Sequence, residues 1–266
     1  MKQKTVAAGD SLSTKKRVLI TAGGTAEPID QVRAITNHST GRLGQEIAKA
    51  FLAQTTIEID YITTRQALLP TANPRVRIHL IESTNDLKEM MEELLTSHTY
   101  QAVIHSMAVS DFTPAASLPQ EELLQKLYQE LTEKPEYLDS FTEFQHLFQE
   151  LTTVQSTEKK ISSASEHLLM VLKQNPKIIH LIKQLQPETR LVGFKLLVGV
   201  EKEELLDVAR TNLKKNQADY VLANDLESIN ETQHIGYLVS EDGVVATGHT
   251  KQEIAALIVE AVTKGA

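Results

Sequence analysis

The stretch "RVLITAGGT" (residues 17–25), followed by "NHSTGRLGQEIAKAFL" (37–52), decides the fold. Residues 17–22 form an apolar, partly β-branched run, and Gly23 and Gly24 follow it, so the run reads as a buried strand ending in a sharp turn. Leu43, Ile47, Ala48, Phe51 and Leu52 then recur at helical spacing. Strand, glycine turn and amphipathic helix make up the opening unit of an α/β sheet.

The pattern repeats outward. "IEIDYIT" (57–63) and "RVRIHLI" (75–81) alternate as strands, and Ser83 or Thr84 offers a cap for a helix through Leu95. "AVIHSMAVS" (102–110) is a buried strand running into a loop, and "RLVGFKLL" (190–197) and "ADYVLAND" (218–225) are further strands. Between them lie helices at "PKIIHLIKQL", opening at Pro176, and at "KEELLDVARTNLKKN" (202–216). "HIGYLVSEDGVVATGH" (234–249) carries an Asp-Gly turn between two alternating runs, a hairpin signal, and a capped helix closes the chain. This order predicts an α/β, Rossmann-like doubly wound fold, with a mostly parallel sheet covered on both faces and a C-terminal hairpin. Ligands in such sheets sit at the carboxyl ends of the strands.

Residues 115–158 break the pattern. Leu123, Leu124, Leu127, Tyr128 and Leu131 form one helical stripe; Phe141, Phe144, Leu147, Phe148 and Leu151 form a second. The segment reads as a two-helix insertion in a single domain over 17–266, ending in the polar linker "TTVQSTEKK" before a strand at "HLLMVLK" (167–173). Residues 1–16 read as a flexible tail without the apolar core of a signal peptide.

Composition narrows the function. The 266 residues carry 27 Lys plus Arg against 35 Asp plus Glu, a net charge of −8, so no global basic excess favours nucleic acid. There is no cysteine, which excludes disulfides, thiolate metal sites and Cys nucleophiles, and the nine histidines show no close zinc spacing. No apolar run approaches the ~20 residues of a membrane span. A cytoplasmic location is expected.

Several residues are candidates for chemistry. Gly23, Gly24 and Thr25 form a strand-exit turn that either shapes the chain or meets a ligand. At residues 39–44, Ser39 or Thr40 can cap a helix while Gly41 and Gly44 permit close approach, so the free N–H groups would suit phosphate or carboxylate. Asp111 lies just past a buried strand, placed to hold Mg²⁺ or a ribose or base. Lys159 and Lys160 follow the polar linker, and Lys195 stands in a strand where burial would demand a partner anion. The glycine pattern also resembles the entrance of short-chain dehydrogenases. That family needs a Tyr-x-x-x-Lys pair, and none of the six tyrosines has Lys four residues on.

Taken together and in order, "ITAGGTAEPID", "ITNHSTGRLG", "AVSDF", "KISS", "NPKII", "GFK" and "ADYVLAND" resemble the phosphopantothenate–cysteine ligases, from about Arg17 to the final helix. The resemblance implies a ligase of coenzyme A synthesis that joins 4′-phosphopantothenate and L-cysteine through an acyl nucleotide. It implies Mg²⁺ as cofactor and a homodimer, with no flavin, no nucleic acid and no membrane partner. The decarboxylase half of fused family members is not expected, since the first strand lies almost at the start. By resemblance, Asn37 holds the acyl intermediate and Lys160 the triphosphate. His38, Ser39, Thr40, Gly41 and Arg42 line the phosphate entrance with Gly23, Gly24 and Thr25. Ala108 and Asp111, then Asn175, Pro176, Lys177, Ile178 and Ile179, lie by the nucleotide, and Phe194 packs on its base. Asn212 and Asn216 stand where fused members carry lysines, and Lys195 matches a lysine of the eukaryotic type. CTP is the favoured nucleotide and ATP its alternative. The rival readings are an NAD(P)-dependent reductase and a non-catalytic nucleotide-binding protein.

Overall fold

Strand β1 (Lys16–Thr21) is buried on both sides over Val18–Thr21, which is why its sequence is apolar without interruption. It pairs in parallel with β4 (Ile57–Thr63) on one side and β6 (Ala102–His105) on the other. A computed structural model describes residues 16–153, 166–230 and 232–264. The main sheet continues through β5 (Val76–Leu80), β9 (Arg190–Leu197), β10 (Tyr220–Asp225), β11 (Gly236–Ser240) and β12 (Gly243–Gly248), in the order β12-β11-β10-β9-β6-β1-β4-β5. Within this sheet β11 alone runs against the others, pairing antiparallel with β10 and β12. The expected doubly wound sheet and C-terminal hairpin are therefore present.

The winding direction reverses between β1 and β6. The chain moves outward through β4 and β5, then returns to the other side of β1 and proceeds through β9 and β10. In a doubly wound sheet this reversal is where a crevice opens at the carboxyl edge.

Side-chain alternation builds two cores. Val18 and Ile20 pack with Ile47 and Phe51 of α1 (Arg42–Leu52) and Ile254 and Ile258 of α7 (Lys251–Thr263). Leu19 points the other way, toward Leu87 and Met91 of α2 (Thr84–Ser97), Ile182 of α5 (Ile179–Leu185) and Leu205 of α6 (Lys202–Asn216). Each fully buried side chain of this size contributes about 1.5–3 kcal/mol. Ser83 caps α2 as expected, in a reciprocal box with Asp86. Among the described residues no helix is long and apolar enough to cross a membrane.

Two features depart from the expectation. Short strands β2 (Ala26–Pro28) and β3 (Ala34–Thr36) form a small hairpin between β1 and α1. The insertion, expected from residue 115, is mounted on a separate antiparallel ribbon of β7 (Phe112–Pro119) and β8 (Leu168–Gln174). The run at 167–173 thus belongs to this ribbon and not to the main sheet. Helices α3 (Gln120–Glu133) and α4 (Phe141–Thr153) stand on it, but of their two stripes only Leu123 and Leu147 are buried, while Tyr128 and Phe141 are 76% and 78% exposed.

Candidate functional site

A cleft of about 690 Å³ opens at the switch point, within the size range of small-molecule sites. Its walls come from the loop that enters α1, the loop after β6, the N-termini of α1 and α7, the start of α5, and the ends of β9, α6 and β10.

The glycines after β1 shape the wall from behind. Gly23 has φ +90°, a conformation that strains any other residue, and a Cβ there would lie 2.8 Å from the Ala67 Cβ. A Cβ on Gly24 would meet the Asn37 carbonyl oxygen at 2.6 Å. Gly24 bridges to Ala108, and the Ala108 N–H donates to the Gly23 carbonyl at 2.9 Å. Thr25 is buried and accepts the Ser110 N–H at 2.9 Å while its hydroxyl donates to the Ser110 oxygen at 3.0 Å. Gly23, Gly24 and Thr25 therefore tie the β1 and β6 loops together, and they do not line the cleft.

Asn37 through Gly44 do line it. Of the expected Ser39 or Thr40 cap, a long bond is present: the Thr40 Oγ1 accepts the Arg42 N–H at 3.4 Å. Gly41, with φ 71° in the left-handed region, is the N-cap residue and has no side chain to add a further cap. The bond is long because of packing: the Thr40 carbonyl accepts the Leu68 N–H at 2.9 Å, and a Cβ at Gly41 would approach Ala67 to 3.1 Å. The Leu43 and Gly44 N–H groups gain no protein partner among the described residues. This helix start, facing the cleft, suits an anion. Asn37 is exposed, and its Nδ2 reaches the Ala108 carbonyl at 3.4 Å.

Across the cleft, Asn175 is a strut and not a wall residue. Its N–H donates to the Asp111 carbonyl at 2.9 Å and its Nδ2 to the Ser110 carbonyl at 3.0 Å. Pro176, Lys177, Ile178 and Ile179 line the cleft beside Ala108 and Asp111. The Asp111 carboxylate, 65% exposed, pairs with the Lys177 ammonium. Phe194 and Lys195 line the wall formed by β9. The expectation that Lys195 is buried against an anion is corrected: it is only half-buried, and no carboxylate pairs with it among the described residues. It sits where the strand leaves the core. Lys159 and Lys160 lie outside the described residues.

Charge is concentrated here. Among the described residues, Arg42, Lys177, Lys195, Lys215 and Lys251 line the cleft against a single carboxylate, Asp111, in a chain of net charge −8. Such a pocket focuses positive potential on an anionic ligand. His105 forms part of the wall; burial pushes it down to about 4, so it is neutral near pH 7, and its Nδ1 lies 2.9 Å from the Thr21 Oγ1. Lys215, Lys251 and His234 were not legible as site residues, because nothing in their sequence context marks them; the end of α6 delivers Lys215, packing of α7 against α1 delivers Lys251, and the bridge between Ile229 and His234 ahead of β11 delivers His234. Arg33, adjacent to the Asn37 loop, forks onto Asp30 at 2.6 and 3.0 Å and does not line the cleft.

Comparison with known proteins gives the following. The family model described as the DNA/pantothenate metabolism flavoprotein C-terminal domain matches residues 13–146 and 149–265. A crystal structure of the DNA/pantothenate metabolism flavoprotein from Streptococcus pneumoniae is 40% identical, with TM-score 0.79, covering 93% of this chain and 98% of that one. The coenzyme A biosynthesis bifunctional protein CoaBC of Thermococcus kodakarensis is 29% identical over 227 residues, 85% of this chain and 45% of the relative. The chain thus spans about half the length of the curated relatives it matches. A Cab2 mutant in complex with phosphopantothenate-cysteine is 18% identical, with TM-score 0.64, covering 95% of this chain and 86% of that one, and shares the fold.

Proposed function

Because this chain belongs to the DNA/pantothenate metabolism flavoprotein C-terminal domain family, we propose that it is a phosphopantothenate–cysteine ligase of coenzyme A synthesis. One observation carries the reading. At the switch point, a helix start with free Leu43 and Gly44 N–H groups, an exposed amide (Asn37) and five cationic side chains face one cleft that has a single carboxylate among the described residues. That is a site for several phosphates and an acyl group at once.

The reaction follows from the charges. A carboxylate is a poor electrophile, so an oxygen of the phosphopantothenate carboxylate attacks the α-phosphorus of the nucleotide and pyrophosphate leaves. The cysteine amine then adds to the acyl carbonyl, the amide C–N bond forms, and the C–O bond to the nucleoside monophosphate breaks. The amine proton passes to solvent. No electrons are transferred, so the chemistry calls for no flavin. Both steps bring anions together, and catalysis is mainly positioning and charge neutralisation.

The residues take the following roles. Leu43 and Gly44 donate backbone N–H groups to phosphate. Asn37 offers donor and acceptor without charge, and holds the acyl carbonyl and the oxyanion formed on amine attack. Lys177 and Lys160 neutralise the triphosphate, and Phe194 packs on the base, with Lys195, Lys215, Asn212 and Asn216 around it. CTP is the favoured nucleotide. The described residues hold no group of three or more His, Cys, Asp or Glu that could bind a metal. Asp111 alone fits an ion that arrives on the phosphates, the usual mode for Mg²⁺. Such an ion would withdraw charge from the leaving pyrophosphate. The insertion helices act as a cover near the nucleotide, and the active unit is a homodimer in the cytoplasm.

The test is direct. The protein is incubated with phosphopantothenate and CTP or ATP in Mg²⁺ buffer, with and without cysteine. The ligase reading expects nucleoside monophosphate and pyrophosphate, with amide product only when cysteine is present. Tight NADPH binding without nucleotide turnover would favour a reductase, and nucleotide binding without pyrophosphate release a non-catalytic binder.

A further inference from the structure

Two basic side chains stand where helix electrostatics disfavours them. Arg42 is the first residue of α1 and Lys251 the first of α7, and a cation at a helix N-terminus opposes the positive end of the macrodipole. The two helices pack side by side, so both positive ends and both cations converge on one end of the cleft. Neither side chain has a carboxylate partner among the described residues. The nearby acid is already used, since Glu253 accepts the His249 N–H at 2.8 Å. Burial and repulsion by Arg42 both lower the Lys251 pKa, in keeping with the missing carboxylate partner.

His234 completes the cluster. It borders the same end of the cleft, is 5% exposed, and neither ring nitrogen has a hydrogen-bond partner among the described residues. Unsatisfied buried polar groups are rare in folded proteins and call for an explanation. Burial, with Lys251 adding to it, pushes His234 down to about 4, so the ring is neutral near pH 7 and one nitrogen carries a donor proton. The start of α7 is capped by Thr250, which accepts the Glu253 N–H at 3.1 Å, but the two cations, the α1 start and the His234 donor are each relieved by the same thing: an anion with several oxygens.

We infer that Arg42, Lys251 and His234, at the joined N-termini of α1 and α7, form a subsite for the terminal phosphates of the nucleoside triphosphate, the part released as pyrophosphate. This rests on the ligase reading above and deepens it. The α1 backbone N–H groups hold the phosphate next to the acyl group, and the α7 end takes the two phosphates beyond it. The subsite therefore recognises a polyphosphate and contributes nothing to a nucleoside monophosphate.

The test is direct binding by calorimetry, with inorganic pyrophosphate in Mg²⁺ buffer as one probe and CMP and AMP as the others. Lys251→Met and His234→Leu are each expected to weaken pyrophosphate binding about tenfold or more. Binding of the monophosphates should stay within about twofold. His234→Asn, which keeps a donor, should recover part of the loss. Lys251→Met, at a half-buried surface position, serves if the His234 variants do not fold. Unchanged pyrophosphate affinity in Lys251→Met, or an equal loss for pyrophosphate and monophosphate, overturns the subsite. Wild-type turnover with cysteine judges the ligase reading separately: an active enzyme whose pyrophosphate affinity ignores both residues refutes only the subsite.

Discussion

Gly44→Ala sets two well-understood effects against each other. Gly44 is the third residue of α1, and helix propensity alone favours alanine there by about 1 kcal/mol. The tertiary environment opposes it. A Cβ at Gly44 would lie 2.4 Å from the Ala22 Cβ, 3.1 Å from the Tyr61 hydroxyl and 3.2 Å from the Ser106 Oγ. Carbon atoms rest at about 3.5–4.0 Å, so the Ala22 contact is short by more than an ångström. Ala22 is 1% exposed at the end of the central strand and has nowhere to go. Overpacking of this kind costs about 1–3 kcal/mol, which outweighs or cancels the propensity gain. The melting temperature should fall by a few degrees, at about 2–4 °C per kcal/mol for a chain of this size. Activity should fall further. The helix start must move away from the sheet by about an ångström, and a misplacement of that size costs about 10²-fold in rate. The assay is kcat/KM for amide formation beside a thermal melt of the same sample. A variant that melts higher and keeps its rate would refute the packing argument.

Other outcomes follow from the same geometry. Asn37→Asp should release pyrophosphate in a single turnover yet transfer poorly to cysteine, because a carboxylate repels the oxyanion; rapid-quench analysis should show the acyl nucleotide accumulating, and an equal loss of both steps would refute the role. Lys160→Ala should slow pyrophosphate release by about 10²–10³ with the fold intact; normal release would move the role to Lys159 or Lys195. His105 is held neutral, at about 4 against an ordinary 6.5. The unfolded chain therefore takes up the proton first, and stability is lost as pH falls from 6.5 toward 4, by about 3 kcal/mol for this group. Denaturant unfolding of His105→Gln should show a shallower loss over that window; an acid limb as steep as wild type would contradict the assignment.

Much of the fold was legible because it rests on local periodicity. The runs at 57–63 and 190–197 and the helix at 202–216 coincide with β4, β9 and α6. Uninterrupted apolar strands require helices on both faces, and both faces are covered. The insertion was legible as helices but not as a mount. The ribbon partners of Phe112–Pro119 lie about fifty to sixty residues away, and Pro114 and Pro119 read as loop residues rather than strand. Within the site, Asn37, Gly41, Asp111 and Phe194 stand out through residue type at strand and helix ends. The side-chain cap from Thr40 is present but long, at 3.4 Å, because contacts with residues 67 and 68, distant in sequence, set the backbone there. Lys215, His234 and Lys251 could not be found from sequence, since lysines on helices are usually solvated and only tertiary packing turns these toward the cleft.

The central claim is that the carboxylate oxygen of phosphopantothenate attacks the α-phosphorus. Substrate labelled with ¹⁸O in that carboxylate tests it most directly. After one turnover with cysteine and CTP or ATP, mass spectrometry of the products should find one labelled oxygen in the nucleoside monophosphate and none in the pyrophosphate. Label in inorganic phosphate, with nucleoside diphosphate as the other product, would mean attack at the terminal phosphorus and would contradict the account.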